Sequence, residues 1–200
     1  MLEMKYLKLS FQKAAIRGFT LVELMVVITI IGVLAMIATP SFREIKRNSE
    51  LTSATNSLMA AINTARTEAM KRGKNAIIAP TTGTDWNTGI TVFVDNNMDN
   101  AFDAGDAIVM QTEVLPTYFT VTHTPADTTR NYTLFNGSGY ARTMAASYNA
   151  TFQIARNDIT ANPTELLSQT RRIKVALTGR VKSCKPVSSP DTNCLGTSVD

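Results

Sequence analysis

Residues 19–39 read FTLVELMVVITIIGVLAMIAT, an apolar run broken by one charge, Glu23. About 20 such residues span a bilayer core as a helix, and no water-exposed fold buries so long a run without a large partner surface. The basic side chains Lys5, Lys8, Lys13 and Arg17 precede it, whereas Arg43, Lys46 and Arg47 after it are offset by Glu44 and Glu50. That bias predicts a single-pass inner-membrane helix with its N-terminus in the cytoplasm and a C-terminal domain outside. A secretory signal peptide with Ala35 and Ala38 near its cleavage point is the competing reading, but its apolar region is shorter. A carboxylate at the head of the run also has no place there. Glu23 in lipid costs on the order of 3 kcal/mol unless it meets an opposite charge, so it reads as a functional group.

Three of the four excess positive charges of the 200-residue chain fall in its first eighteen residues, so the rest is near neutral. Nucleic-acid binding by overall charge is thereby excluded, and such binding must rest on a local cluster.

The order Gly18-Phe19-Thr20-Leu21-Val22-Glu23, behind a short basic leader and ahead of an apolar helix, resembles the type IV prepilin signature, with Pro40 where pilins commonly carry one. The resemblance implies that prepilin peptidase cuts between Gly18 and Phe19 and methylates the new amine of Phe19. It also implies that the Glu23 carboxylate of one subunit meets the Phe19 amine of a neighbour within an apolar bundle. Glu23 and Pro40 are the assembly residues on this reading, and the partners are other pilins or pseudopilins and an inner-membrane assembly platform.

Beyond Pro40, Leu51, Ala54, Leu58, Ala61, Ile62, Ala65 and Ala69 recur at helical spacing, with Lys71 and Arg72 in the last turn and Gly73 at the C-cap. One long helix follows, kinked at Pro40 by the missing backbone donor, its second half packed on a domain. After Gly73 the period becomes two. Strands are predicted at 75–79, 89–94, 107–114, 118–122, 132–135, 151–155, 172–177 and 180–183, with 157–168 a surface loop. The fold class is α+β, a long N-terminal helix on an antiparallel β domain. Its parts are a leader (1–18), a transmembrane helix (19–39), an amphipathic continuation (40–73) and a periplasmic β domain (74–200).

Ala65-Arg66-Thr67-Glu68-Ala69, Trp86-Asn87-Thr88-Gly89, Val92-Phe93-Val94-Asp95, Phe135-Asn136-Gly137, Ile173-Lys174-Val175 and Gly179-Arg180 resemble the GspH/FimT group of pilin-like proteins. That group implies a tip component of a type II secretion pseudopilus or a minor pilin of a type IV pilus, without separating the two.

Four further features bear on chemistry. Cys184 and Cys194, with no neighbouring ligand to complete a zinc site, predict a disulfide closing a short loop in an oxidising compartment; two reduced thiols are the alternative. Asp95, Asn97, Asp99, Asp103 and Asp106 occupy positions 1, 3, 5, 9 and 12 of an EF-hand-like loop that could wrap calcium, but Asn100 replaces the glycine at position 6. An Asn- and Asp-rich hairpin turn explains the same residues, and no other cofactor is expected. Arg171, Arg172, Lys174, Arg180, Lys182 and Lys185 form a basic stretch that could touch phosphates, which makes a DNA-binding minor pilin of natural transformation the alternative function. In the FimT branch a Gly-Arg-x-Arg motif is associated with DNA uptake. Here Gly179-Arg180-Val181-Lys182 departs at the last position and loses the guanidinium fork. Finally, His123 is the single histidine and no nucleophile pattern or phosphate-binding loop accompanies it, so no enzymatic activity is expected.

Overall fold

The computed structural model describes residues 18–124, 131–143, 150–159, 162–188, 191 and 194. Helix α1 (Leu21–Arg72) accounts for the apolar run and its amphipathic continuation. Helical structure carries on through Pro40, so the missing donor removes one rung without ending the helix. At its far end Gly73 takes φ +64°, a conformation costly for any residue with a Cβ. Lys74 N–H then reaches back to the Ala69 carbonyl (3.3 Å), while Glu68 holds Lys71 (3.2 Å) and Arg72 (2.8 Å) in the last turn.

The chain divides into two compact units, residues 1–44 and 45–200. In the first, the described part of α1 is exposed throughout its apolar stretch. In the second, Leu51, Ala54, Leu58, Ala61, Ile62, Ala65 and Ala69 are all buried, as their spacing predicts.

Nine strands follow among the described residues: β1 (Asn75–Pro80), β2 (Ile90–Asp95), β3 (Ala107–Gln111), β4 (Phe119–Thr124), β5 (Thr133–Phe135), β6 (Ala141–Thr143), β7 (Ala150–Arg156), β8 (Thr170–Val175) and β9 (Val181–Cys184). They form two antiparallel sheets rather than one, in the orders β3-β2-β1-β5-β6 and β4-β7-β8-β9. Register runs from Asn75↔Asp95 to Pro80↔Ile90 in the first and from Phe119↔Arg156 to Thr124↔Thr151 in the second. The α1 stripe, Ile78, Val92, Val94 and Phe135 of the five-stranded sheet, and Phe119, Phe152, Ile154 and Ile173 of the four-stranded sheet make one core. On the other face of the five-stranded sheet Ile77, Phe93, Tyr132 and Leu134 form a second cluster, so β2 is buried along its whole length.

Two elements depart from the sequence reading. The strand β6 is only three residues long and leaves no periodic signal. Within the expected 157–168 loop lies helix α2 (Pro163–Ser168), capped by Asn162, whose side chain accepts from Thr164 and Glu165 N–H. An Asn cap, Pro at the first position and Glu in the first turn are start signals, but six residues are too few for periodicity.

Candidate functional site

The N-terminal segment is built on Thr20. Its hydroxyl accepts the Glu23 N–H (3.2 Å) and its carbonyl accepts the Leu24 N–H (3.2 Å), which caps α1 directly after Gly18 and Phe19. Gly18 and Phe19 are exposed, Phe19 to 77%. Glu23 sits in the first turn, where the helix dipole favours a negative charge. Among the described residues no cation is placed against its carboxylate. The following turns are long and apolar enough to cross a membrane, and that stretch is exposed along its length. The hydroxyls of Thr29 and Thr39 donate to the Met25 (2.8 Å) and Ala35 (2.6 Å) carbonyls, so neither adds an unmet donor to the apolar surface.

The other sequence candidates are placed as follows. Cys184 and Cys194 are bonded, with Cα atoms 5.9 Å apart. The closed loop folds back over β8, where Arg172 donates to the Cys194 carbonyl (2.5 Å) and to Gln153 Oε1 (2.7 Å).

The basic stretch is not gathered on one exposed face. Lys174 is buried and Arg172 is half-buried under the disulfide loop. The neighbouring position on the strand, Arg171, turns to the carbonyls of Ser168 and Thr170 (3.0 and 2.9 Å), and burial lowers its pKa. Arg180, Lys182 and Lys185 are exposed. The turn before Arg180 is tight: Gly179 has φ +76°, and a Cβ there would lie 2.2 Å from the Gly139 carbonyl oxygen.

In the 95–106 loop the carboxylates are engaged by the loop's own amides. Asp95, fully buried, accepts from Met98 and Asn100 N–H; Asp99 accepts from Ala101, Asp103 from Gly105, and Asp106 from Asn96 and Asp103. Asn97 donates to Asp99 and Asp103. Among the described residues no three His, Cys, Asp or Glu side chains are grouped to hold a metal ion.

His123 is buried between Trp86 and Phe152, with ring centroids 5.2 and 4.6 Å away. Its Nδ1 bonds Asn131 Oδ1 (2.6 Å) and its Nε2 bonds the Thr133 hydroxyl (3.0 Å), which ties β4 of one sheet to β5 of the other. Burial pushes its pKa down to about 4, against the opposing pull of Asn131, and keeps it neutral.

Two constellations have no signature in the sequence. Asn87, in the Trp86–Thr88 turn, donates to the Phe119 carbonyl (3.1 Å) and accepts from Val121 N–H (2.8 Å), acting as a piece of strand along β4. The second joins α1 to the four-stranded sheet: Arg47 pairs with Asp158 and stands 5.0 Å over the Tyr118 ring, and the Tyr118 hydroxyl donates to Glu50. Burial, then the Glu50 carboxylate, push the Tyr118 phenol up to about 12. Arg47 and Asp158 lie 111 residues apart, beyond any local pattern.

A capped apolar helix with an acid in its first turn, continuing as an amphipathic stripe against antiparallel sheets, defines the type IV pilin-like class. The crystal structure of the type IV minor pilin FimU of Pseudomonas aeruginosa superposes with a TM-score of 0.50 at 20% identity, covering 67% of this chain and 87% of that one. At that identity the likeness establishes the fold alone. Residues 13–39 match the prokaryotic N-terminal methylation motif, and residues 54–179 match the family described as type II transport protein GspH. The chain belongs to that GspH family. Among curated relatives, a fimbrial protein of Pseudomonas aeruginosa is 37% identical over 76 residues, 38% of this chain and 49% of the relative. A type IV major alpha-pilin of Moraxella bovis is 41% identical over 76 residues, 38% of this chain and 47% of the relative. The chain thus spans about half the length of these curated relatives.

Proposed function

We propose that the chain is a non-catalytic minor pilin or pseudopilin that prepilin peptidase cuts after Gly18 and methylates on Phe19. It is then held in the inner membrane by residues 19–39, with its C-terminal domain in the periplasm, and is passed by an assembly platform into a type IV pilus or type II secretion pseudopilus. The observation that carries this reading is Glu23, an acid at the head of an exposed apolar helix with no cation against it among the described residues. In lipid or in a bundle of like helices such a carboxylate is tolerable when another subunit supplies the opposite charge. The exposed Phe19, whose amine is created by the cut, offers that charge in the same turn of a neighbouring helix. Pro40 directly follows the apolar run within the continuous helix α1, which suits the assembly role proposed for it. The disulfide suits the oxidising compartment assigned to the domain.

The test separates processing from assembly. Gly18→Ala or a bulkier residue should leave the leader on, seen as slower migration on a gel. Glu23→Ala should be cut normally yet be depleted from sheared filaments. Wild-type levels of Glu23→Ala in those filaments would refute the assembly role.

A further inference from the structure

His123 is the single histidine of the protein and Trp86 its single tryptophan, and the two rings pack together with Phe152. The imidazole is 4% exposed, and its hydrogen bonds fix where its proton sits. Asn131 gives its amide N–H to the Thr84 carbonyl (3.3 Å), so the oxygen of that amide faces the ring and accepts from His123 Nδ1. Nε2 is left bare and accepts from the hydroxyl of Thr133, which is fully buried.

Neutral ties cross the seam between the two sheets here. The Asn87 amide reaches from the turn between β1 and β2 to the backbone of β4, and His123 on β4 reaches Thr133 on β5. Of these, the His123 tie is the one that titrates. Among the described residues no charged side chain faces the ring. The strands β4 and β5 carry none besides His123 itself, and the charge of β7, Arg156 at its end, is held by Asp158. Asp85, beside Trp86, is exposed and accepts from the Asn87 N–H. Burial, opposed by Asn131, is therefore what resists a proton on the ring. Protonation puts a hydrogen on Nε2 where the Thr133 hydroxyl already points its own, and leaves a cation sealed away from water against aromatic side chains. Parting the sheets at this point relieves both.

We propose that His123 is an acid-operated latch on the seam between the two sheets: neutral, it ties β4 to β5, and protonated, it lets the seam open while the rest of the domain stays folded. Trp86 also forms the base of an open cleft of about 470 Å³ between α1 and the connection from β3 to β4, so the release reaches the surface. One proton is taken up on opening, so the opening equilibrium should rise about tenfold for each pH unit below 6.5, until the closed ring itself titrates at about 4.

The experiment follows the full-length chain in detergent from pH 7 to pH 4, by amide hydrogen exchange corrected for its intrinsic pH dependence and by acrylamide quenching of Trp86. Exchange of the Val121 amide, whose bond to Asn87 crosses the seam, should accelerate about tenfold per pH unit below 6.5, and Trp86 should become accessible to the quencher. The amides of Leu58, Ile62 and Ala65 in α1 should keep their protection. In His123→Gln, which keeps a hydrogen-bonding amide and has no proton to gain, both readouts should stay flat. The nitrogen shifts of the native imidazole test the latch without any variant: at pH 7 they should show a hydrogen on Nδ1 and none on Nε2. No change at the seam above pH 4, an equal acceleration in α1, the same acceleration in His123→Gln, or the opposite tautomer would each overturn it.

Discussion

The Arg156 guanidinium forks onto Asp158, with Nε 2.9 Å from one carboxylate oxygen and Nη2 2.7 Å from the other. Arg156 is 2% exposed at the end of β7, and Asp158 also receives Arg47 from α1, so one carboxylate fastens the helix to the sheet through two cations. The Arg156 fork holds the Asp158 carboxyl below the usual carboxylate range. Asp158→Ala removes the forked acceptor from a buried cation and should cost roughly 2–3 kcal/mol. Denaturant unfolding of the full chain in detergent checks this; a loss under about 0.5 kcal/mol would mean the fork is incidental.

His123 gives the protein a pH-dependent loss of stability in a window of its own. Its folded pKa of about 4 lies below the ordinary 6.5, so below pH 6.5 the unfolded chain binds a proton that the folded chain does not. The stability is intact above pH 6.5 and falls as the pH drops from there toward 4, where the loss levels off. Asp158 also has a lowered pKa, but its loss begins only near the unfolded carboxylate value of 3.8. Midpoint temperature against pH should therefore decline between 6.5 and 4 in the native chain. The decline should vanish in His123→Leu, even if that variant starts lower. An equal slope in both would place the proton uptake elsewhere.

The Cys184–Cys194 bond, at a sequence separation of 10, should contribute about 2–3 kcal/mol by limiting the unfolded chain. Replacing both cysteines by serine and reducing the native bond should lower stability by similar amounts. Reduction alone should also raise the hydrogen exchange of the Cys194 amide, which donates to the Asp191 carboxylate (3.1 Å). No change on reduction would show that the loop is held by its other contacts.

How far these features could be read from the chain depends on the distance over which each is encoded. The buried stripe from Leu51 to Ala69 repeats every three or four residues, so local pattern was enough. Cys184 and Cys194 were readable because two cysteines leave one intramolecular pairing. The split into two sheets was not readable: β2 is buried on both faces, and the pairing of β4 with β7 joins segments about 30 residues apart with no marker of which neighbour each strand takes. The basic stretch was legible as alternation along one strand, but the burial of Lys174 and the contact of Arg172 with the Cys194 carbonyl depend on tertiary neighbours that alternation does not encode. The Tyr118 to Glu50 and Arg47 to Asp158 contacts required the fold before they could be seen.

The most direct test of the whole account is the first residue of the mature protein. Intact-mass and fragment analysis of the chain recovered from membranes and from sheared filaments should find a single N-terminus at Phe19 carrying one added methyl group. A mature protein free in the periplasm and starting well downstream of Phe19 would contradict it, since Glu23 would then have been discarded with a signal peptide.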